Sequence, residues 1–352
     1  MDKLNILVLG VGGNVSQGIL KALSLSKLPH RVVGACISPL ALGLYTVDRA
    51  YISPPVYDPN FMDWILNICQ KEYIQAILSG VEPVLTILSR NAEKIYQETG
   101  TISIVSKPTI LSITNDKLAT CQWLEKQGFN YPRYAPSWDF IALKKHVKDC
   151  GYPLIAKLCS GKGSHGVIEI HDSNDLEYVS GKTGYVVQEL LGDSNTEYTV
   201  GCFCDRQGTV RGTIAMHREL LQGTTYRADV GDFPEVRAEA SKIATAFRPM
   251  GPCNIQLRIS DGKPVCFEIN MRFSGTTPMR ARLGFNEVEA TLRHYVLGEH
   301  IENLPSITQG IILRYWNEMY VDHKAFTTLS ENGKLKNTQQ YDLLVEDYGV
   351  RR

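Results

Sequence analysis

The sequence has no net charge, its 37 lysines and arginines balancing 37 aspartates and glutamates. No broad field of one sign therefore favours nucleic acid or an anionic membrane surface, and small molecules are the expected partners. Nothing in the chain reaches the roughly 18 apolar residues of a membrane span. The N-terminus lacks the charged, apolar, small-residue order of a signal peptide, because the apolar stretch Leu4 to Leu9 is short and runs into glycines. None of the nine cysteines forms a Cys-x-x-Cys. Scattered, odd in number and without a signal, they read as reduced thiols of a cytoplasmic protein. Cys202 and Cys204 share one face of an expected strand with no His or second Cys pair nearby in sequence, and are assigned to sheet packing. No Gly-Lys-Ser/Thr enters a helix, which excludes a P-loop.

What remains is a globular composition, 43% hydrophobic and 21% charged over 352 residues, long enough for two or three domains. Leu4 to Leu9 reads as a strand buried on both faces. The glycine-rich turn Gly10 to Gly18 leads into a helix, and Arg31 to Ile37 is the next strand. A dinucleotide fingerprint fails here, since Val15 occupies its third glycine position and Ser38 stands where an acid should end the second strand. The turn still offers a helix N-terminus to an anion. Helices at 60–71 and 83–98 alternate with strands at 74–78 and 102–105, which implies a parallel sheet. Residues 108–130 read as one helical stretch, with Asn115-Asp116 as a cap before Lys117 and Gly128 as its stop. A helix at 140–150, the strand Leu154 to Leu158, a glycine loop from Cys159 to Val167 and a return strand follow. Such a hairpin can act as a lid whose backbone N–H groups close over phosphates. Strands at 185–191, 197–203 and 210–216 and a helix at 233–247 come next. Residues 311–352 are mixed and polar, and read as a peripheral appendage with a mobile end.

The densest chemistry lies in Phe267 to Gly275. Along a strand Phe267, Ile269 and Met271 point one way and Glu268, Asn270 and Arg272 the other. Carboxylate and amide oxygens suit Mg²⁺ beside phosphates, and an arginine suits a developing anion. The preceding strand, Asn254 to Ile259, also alternates. Its apolar face aligns with that of Val265, Phe267 and Ile269 only if Gln256 pairs with Glu268. A two-residue loop Asp261-Gly262 would pair Gln256 with Phe267, so a three-residue loop including Lys263, a turn plus a bulge, is expected.

Order adds to these features. Lys117 on a helix, Lys157 on a strand, the glycine loop, Gln188-Glu189-Leu190-Leu191, Glu197 eight residues past Glu189, then Gln256 and Glu268-x-Asn270-x-Arg272 follow one another. The series resembles the ATP-grasp superfamily over residues 1–300. More narrowly it resembles the carbamoyl-phosphate-synthase-like single-chain carboxylate–amine ligases, including the pyrrolysine-biosynthesis ligase type. The resemblance implies a mixed α/β and α+β chain. A doubly wound parallel-sheet pre-ATP-grasp domain (1–112) would precede the small lid-bearing subdomain (113–184), the large metal-site subdomain (185–310) and the appendage (311–352).

It further implies ATP with Mg²⁺, or Mn²⁺, as cofactors. Lys117 and Lys157 would contact the phosphates and Gly161, Gly163, Ser164 and Gly166 form the lid. Gln188, Glu189 and Leu191 would meet the adenine, and Glu197 the ribose. Gln256, Glu268 and Asn270 would hold the metal, with Gln256 similar to the synthase-like branch. Arg272, with Lys157, would be catalytic, lying over an acyl phosphate. Arg218, Ser274, Gly275 and Arg280 would serve the substrate, and the Gly10 to Gly13 turn and Gly80-Val81-Glu82 would face the same cleft. Lys162 and His165 depart from the small residues expected in the lid. The implied activity is an ATP-dependent ligase that activates a small-molecule carboxylate for attack by an amine, releasing ADP and phosphate. A carbamoyl- or acyl-phosphate synthase-like enzyme and a non-catalytic ATP-binding regulator are the alternatives, and a homodimer is compatible with either.

Overall fold

The computed structural model describes residues 3–161 and 166–345. The first layer is a parallel sheet built from β1 (Leu4–Leu9), β2 (His30–Cys36), β3 (Arg49–Ile52), β4 (Ala76–Ser79) and β5 (Ile102–Ser103). β1 lies between β2 and β4. Leu7 and Leu9 enter the core on one face of the sheet and Ile6 and Val8 the core on the other, so the continuous apolar run is buried on both sides. α1 (Asn14–Ser24) covers one face, and α2 (Phe61–Lys71) and α3 (Glu82–Thr99) cover the other. Gly10 is required at the first turn. It has φ of +70°, and a Cβ there would lie 2.3 Å from Val81 Cγ2. That close approach brings the β1 and β4 strand ends together under the cleft.

The helical stretch after this domain is two helices, α4 (Pro108–Thr114) and α5 (Lys117–Gln127). The break falls where the Asp116 side chain accepts from the Ala119 N–H at 2.9 Å. An N-cap of this strength starts a new helix rather than continuing the old one. Gly128 ends α5 in the left-handed conformation, as expected.

The small subdomain is an antiparallel sheet in the order β6 (Tyr134–Pro136), β9 (Tyr185–Glu189), β7 (Leu154–Leu158), β8 (Ile168–Ile170). Its helices are α6 (Phe140–Cys150) and α7 (Ser173–Val179), and Leu143, Leu154, Ala156, Val179 and Val187 form its own core. β9 thus belongs to the small sheet, although the sequence placed it at the head of the large subdomain. The large antiparallel sheet runs β14 (Lys263–Asn270), β13 (Gly251–Ser260), β10 (Glu197–Cys204), β11 (Val210–Leu221), β12 (Thr224–Gly231), β15 (Gln309–Leu313). α8 (Pro234–Phe247) covers one face, where Cys202, Cys204 and Cys253 pack as plain core residues. α9 (Thr277–Arg282) and α10 (Glu287–Thr291) connect this sheet to α1.

The C-terminal segment is not peripheral over its described length. β15 closes the large sheet, whereas β16 (Met319–Val321) and β18 (Leu343–Val345) pair separately. α11 (His323–Asn332) and β17 (Lys334–Leu335) return to the parallel sheet, where β17 pairs antiparallel with β3 and Leu329 and Leu335 are buried. A polar composition concealed this tie, which rests on a few apolar anchors. No helix of the described residues is long and apolar enough to cross a membrane.

The β13–β14 hairpin has the expected register by a different route. Its loop is two residues, Asp261 and Gly262, both with positive φ (+50° and +72°), as in a type I′ turn. Ser260 then pairs with Lys263, and Leu257 with Cys266. A register shift follows, after which Gln256 faces Glu268 and Ile255 faces Ile269. The extra residue sits mid-strand at Phe267 instead of in the loop. Cys266, not Phe267, therefore joins Ile255, Leu257 and Ile269 in the core, and Phe267 turns into the cleft.

Candidate functional site

The cleft lies between the small and large sheets and opens into three adjoining cavities, of about 240, 60 and 210 Å³. Glu268 lines all three. The first is walled by β7, by the 188–191 crossing and by the polar faces of β10, β13 and β14. Lys117, Lys157, Gly161, Gln188, Glu189, Leu191, Glu197, Gln256 and Glu268 all border it, so the fold gathers most of the residues expected to hold ATP. Gly163 and Ser164, with Lys162 and His165, lie outside the described residues. Gly166 has φ of +70° where the loop returns beside Leu158.

Lys157 projects from β7 with its ammonium 5.2 Å from the centre of the Phe267 ring. Burial pulls it down from 10.5 to about 8, with Glu268 opposing this shift and Arg258 and Lys117 adding to it. Lys117, in the first turn of α5, donates to the Gly161 carbonyl and so ties α5 to the glycine loop. Glu189 is anchored by Arg133, whose Nε donates at 2.8 Å. The Glu189 N–H and the Arg133 carbonyl also pair at 3.0 Å. Gln188 is buried; its Nε2 donates to Cys121 Sγ at 3.0 Å while Oε1 has no partner.

Glu197 is more constrained than a ribose ligand needs to be. Arg218 donates to its Oε1 at 2.8 Å and Arg258 to its Oε2 at 2.8 Å. Burial alone would raise this carboxyl, but the charges and hydrogen bonds of the two arginines outweigh it and hold the group below the usual range. Arg258 also donates to the Leu191 carbonyl at 3.0 Å, fixing the crossing strand from below. The sequence reading passed over Arg258, although strand alternation puts it on the face of Gln256.

The row on β13 and β14 centres on Glu268. Asn270 Nδ2 donates to Glu268 Oε1 at 2.8 Å, and Gln256 Nε2 donates to the same oxygen at 3.1 Å. Gln256 Oε1 accepts from Arg218 at 2.7 Å. Among the described residues Glu268 Oε2 and Asn270 Oδ1 accept no hydrogen bond, and both residues border the second and third cavities. Gln256, expected as a third ligand, borders the first and third cavities, and its oxygen already accepts one bond, from Arg218. β14 ends at Asn270, so Arg272 is placed by the following bend rather than by alternation. It forms an ion pair with Glu82, at the start of α3, at 2.6 Å.

Two expected substrate residues prove structural in their contacts. Arg280 is 1% exposed and pairs with Glu287, with further bonds to Thr276 at 2.6 Å and Thr277 at 3.1 Å. Ser274 is buried, its hydroxyl bonded to Thr276 at 2.9 Å. Both stabilise the turn after β14, and Ser274 also borders the third cavity. Gly275 borders the third cavity beside Asn14 of the N-terminal turn, where a Cβ would lie 2.6 Å from Asn14 Nδ2. Arg218 lines the first and third cavities, so its position is central even though its charge is committed to Glu197.

Comparison with known proteins agrees with this architecture. Residues 6–104 match the family described as PylC-like, N-terminal domain, and residues 183–319 match the family described as ATP-grasp in the biosynthetic pathway with Ter operon. The carbamoyl phosphate synthase large chain of Brucella melitensis biotype 1 is 22% identical over 86% of this chain. The chain spans 30% of that relative's length. N5-carboxyaminoimidazole synthetase from Staphylococcus aureus, solved with ADP, superposes with a TM-score of 0.69 at 17% identity, covering 89% of this chain and 81% of that one. The biotin carboxylase domain of Hydrogenobacter thermophilus 2-oxoglutarate carboxylase, solved with MgADP and bicarbonate, gives a TM-score of 0.67 at 15% identity over 86% of this chain and 72% of its own. The chain has an ATP-grasp fold, and its N-terminal region is similar to the PylC-like N-terminal domain.

Proposed function

We propose that this chain is an ATP-dependent carboxylate–amine ligase. The observation that carries the reading is the meeting at Glu268 of a lysine-lined cavity, a pair of free oxygens and the Arg272 guanidinium. The donor set suits a nucleotide with Mg²⁺. One carboxylate and one amide oxygen are too few to hold the ion alone, and the described residues contain no cluster of three His, Cys, Asp or Glu. A cation here completes its shell with phosphate oxygens, as Mg²⁺ does. Glu268 and Asn270 would hold it, and bound Mg-ATP would supply the phosphoryl group that turns a carboxylate into an electrophile.

The chain's own residues then act mainly by position and charge. Lys157 and Lys117 approach the first cavity from the small subdomain and neutralise phosphate oxygens. The backbone of 188–191, held by Arg133 and Arg258, offers N–H and C=O groups to a purine edge. Gln256 relays the order imposed by Arg218 to Glu268. Arg272, released in part from Glu82, is placed to balance the charge that develops on an acyl phosphate. The glycine loop tied to Lys117 would exclude water, which otherwise competes with the amine.

The test is phosphate release from Mg-ATP with pooled small carboxylic acids and amines, each added alone and together. Release that needs both supports a ligase. ADP formation with an acid alone, without phosphate release and with the acyl phosphate trapped by hydroxylamine, favours the synthase-like product. Tight Mg-ADP binding without turnover across the panel favours a non-catalytic regulator.

A further inference from the structure

The third cavity continues outward into another of about 220 Å³, sharing Asn14, Thr224 and Thr225 with it. Its outer wall comes from the segment after β15. The Arg314 N–H donates to the Tyr226 carbonyl at 2.9 Å, which fixes that residue against β12. Its guanidinium reaches across and donates to the Gly275 carbonyl at 2.9 Å, closing a bridge from the sheet edge to the turn after the Glu268 strand. The other arginines of the cleft are committed. Arg218 and Arg258 hold Glu197, and Arg272 holds Glu82. Among the described residues Arg314 has no carboxylate within ion-pair range. Leu221, Tyr226 and Trp316 form an apolar side of the same cavity, and Asn14, Gln222, Thr224 and Thr225 form its polar side. Trp316 is 76% exposed, an unusual position for the largest apolar side chain unless something covers it.

An unpaired, half-buried guanidinium is costly unless an anion joins it, and burial already lowers the proton affinity of this one. A planar fork favours a carboxylate, and the flanking aromatic and aliphatic groups favour an apolar body next to that carboxylate. The cavity leads through Asn14 and Thr224 towards Glu268, Asn270 and Arg272, so a molecule anchored by Arg314 presents its other end to the reacting centre. Resting on the ligase reading above, we propose that this outer cavity is the site of the amine substrate, an apolar or aromatic α-amino acid whose own carboxylate is held by Arg314 and whose side chain is covered by Trp316 and Tyr226.

The full chain is titrated calorimetrically, with and without Mg-ADP, against the standard L-amino acids and against L-leucinamide and L-phenylalaninamide. At least one apolar or aromatic amino acid binds, and its carboxamide binds about tenfold more weakly. Arg314→Ala weakens the acid by about tenfold and leaves the carboxamide unchanged, while Arg314→Lys falls between. Trp316→Ala weakens acid and carboxamide alike. All three variants keep the wild-type affinity for Mg-ADP, which also reports that they are folded. Equal binding of acid and carboxamide, an Arg314→Ala variant that binds the acid normally, or a wild-type chain that binds none of the amino acids overturns the assignment. Mg-ADP binding by the wild type is read separately, and its absence counts against the ligase reading, whatever the outer cavity does.

Discussion

If the chain is the proposed ligase, Lys157 should make its nucleotide affinity a function of pH. Its ammonium is buried between the two sheets beside Phe267 and Arg258, and burial brings it from 10.5 down to about 8. A phosphate oxygen binds the charged form, so Mg-ADP and the proton bind this residue cooperatively. Below about pH 8 the charge is already in place and affinity is flat. Above it the free protein must take up a proton on binding, and affinity falls by up to about tenfold per pH unit until the higher pKa of the complex is reached. Raising the pH from about 8 to about 9 should therefore cost roughly fivefold in Kd. The same shift acts on stability in the opposite sense. Between about 8 and 10.5 the unfolded chain still carries a proton the folded chain has lost, so this residue's penalty on folding is relieved as pH rises. Calorimetric Kd values for Mg-ADP, taken across this range at constant ionic strength, give the slope for wild type and for Lys157→Gln. The variant should bind more weakly at neutral pH and show no slope. A flat wild-type profile, or the same slope in the variant, would refute the reasoning.

Three other substitutions separate chemistry from scaffold. Arg272→Ala should lower kcat by about 10²–10³ with little change in Mg-ADP affinity, as read by phosphate-release kinetics beside calorimetry, since the guanidinium acts on charge that develops only during reaction. Glu197→Gln leaves Arg218 and Arg258 without their shared countercharge and should cost about 3–5 kcal/mol in urea unfolding. Gly201→Ala places a Cβ 2.4 Å from Arg280 Nε, in a network too buried to move aside, and should cost about 1–3 kcal/mol in the same assay.

Much of the fold was legible because periodicity carries it. The double-sided run of β1, the alternation of β10, β13 and β14, and the Asp116 and Gly128 helix signals each correspond to an element in the structure. The site was legible in part for the same reason, since alternation puts Gln256, Glu268 and Asn270 on one face. What escaped depends on contacts between distant segments. Nothing local in Glu82 or Arg272 announces their pairing across the domain boundary, and nothing in a polar C-terminal stretch announces that Arg314 returns to the cleft. In the sequence Arg280 resembles a ligand because it stands close after Glu268 and Asn270. Only the partner Glu287, seven residues on and equally buried, shows that its charge is already spent. Arg258 was within reach of the same alternation that selected Gln256.

The bulge at Phe267 shows how register and chemistry are one problem here. A type I′ turn is the favoured closure for the Asp261-Gly262 sequence, and it fixes an even count that would set Phe267 opposite Gln256 on the cleft face and aim Glu268 and Asn270 at the core. The apolar faces of β13 and β14 cannot both be buried with that count, because a one-residue slip reverses every later side chain. Inserting the extra residue in mid-strand satisfies both demands: the turn keeps its geometry, and Ile255, Leu257, Cys266 and Ile269 share one face. The extra residue, Phe267, keeps its side chain on the cleft face, where Glu268 now joins it. There its ring lies under Lys157 and Arg258, at 5.2 and 5.8 Å, where a π-face tolerates two cations that a carboxylate would neutralise. A hairpin closed by a longer loop would have placed Gln256 and Glu268 equally well but left Lys157 without this platform. The bulge therefore sets the row of Gln256, Glu268 and Asn270 and the bed of Lys157 in a single step.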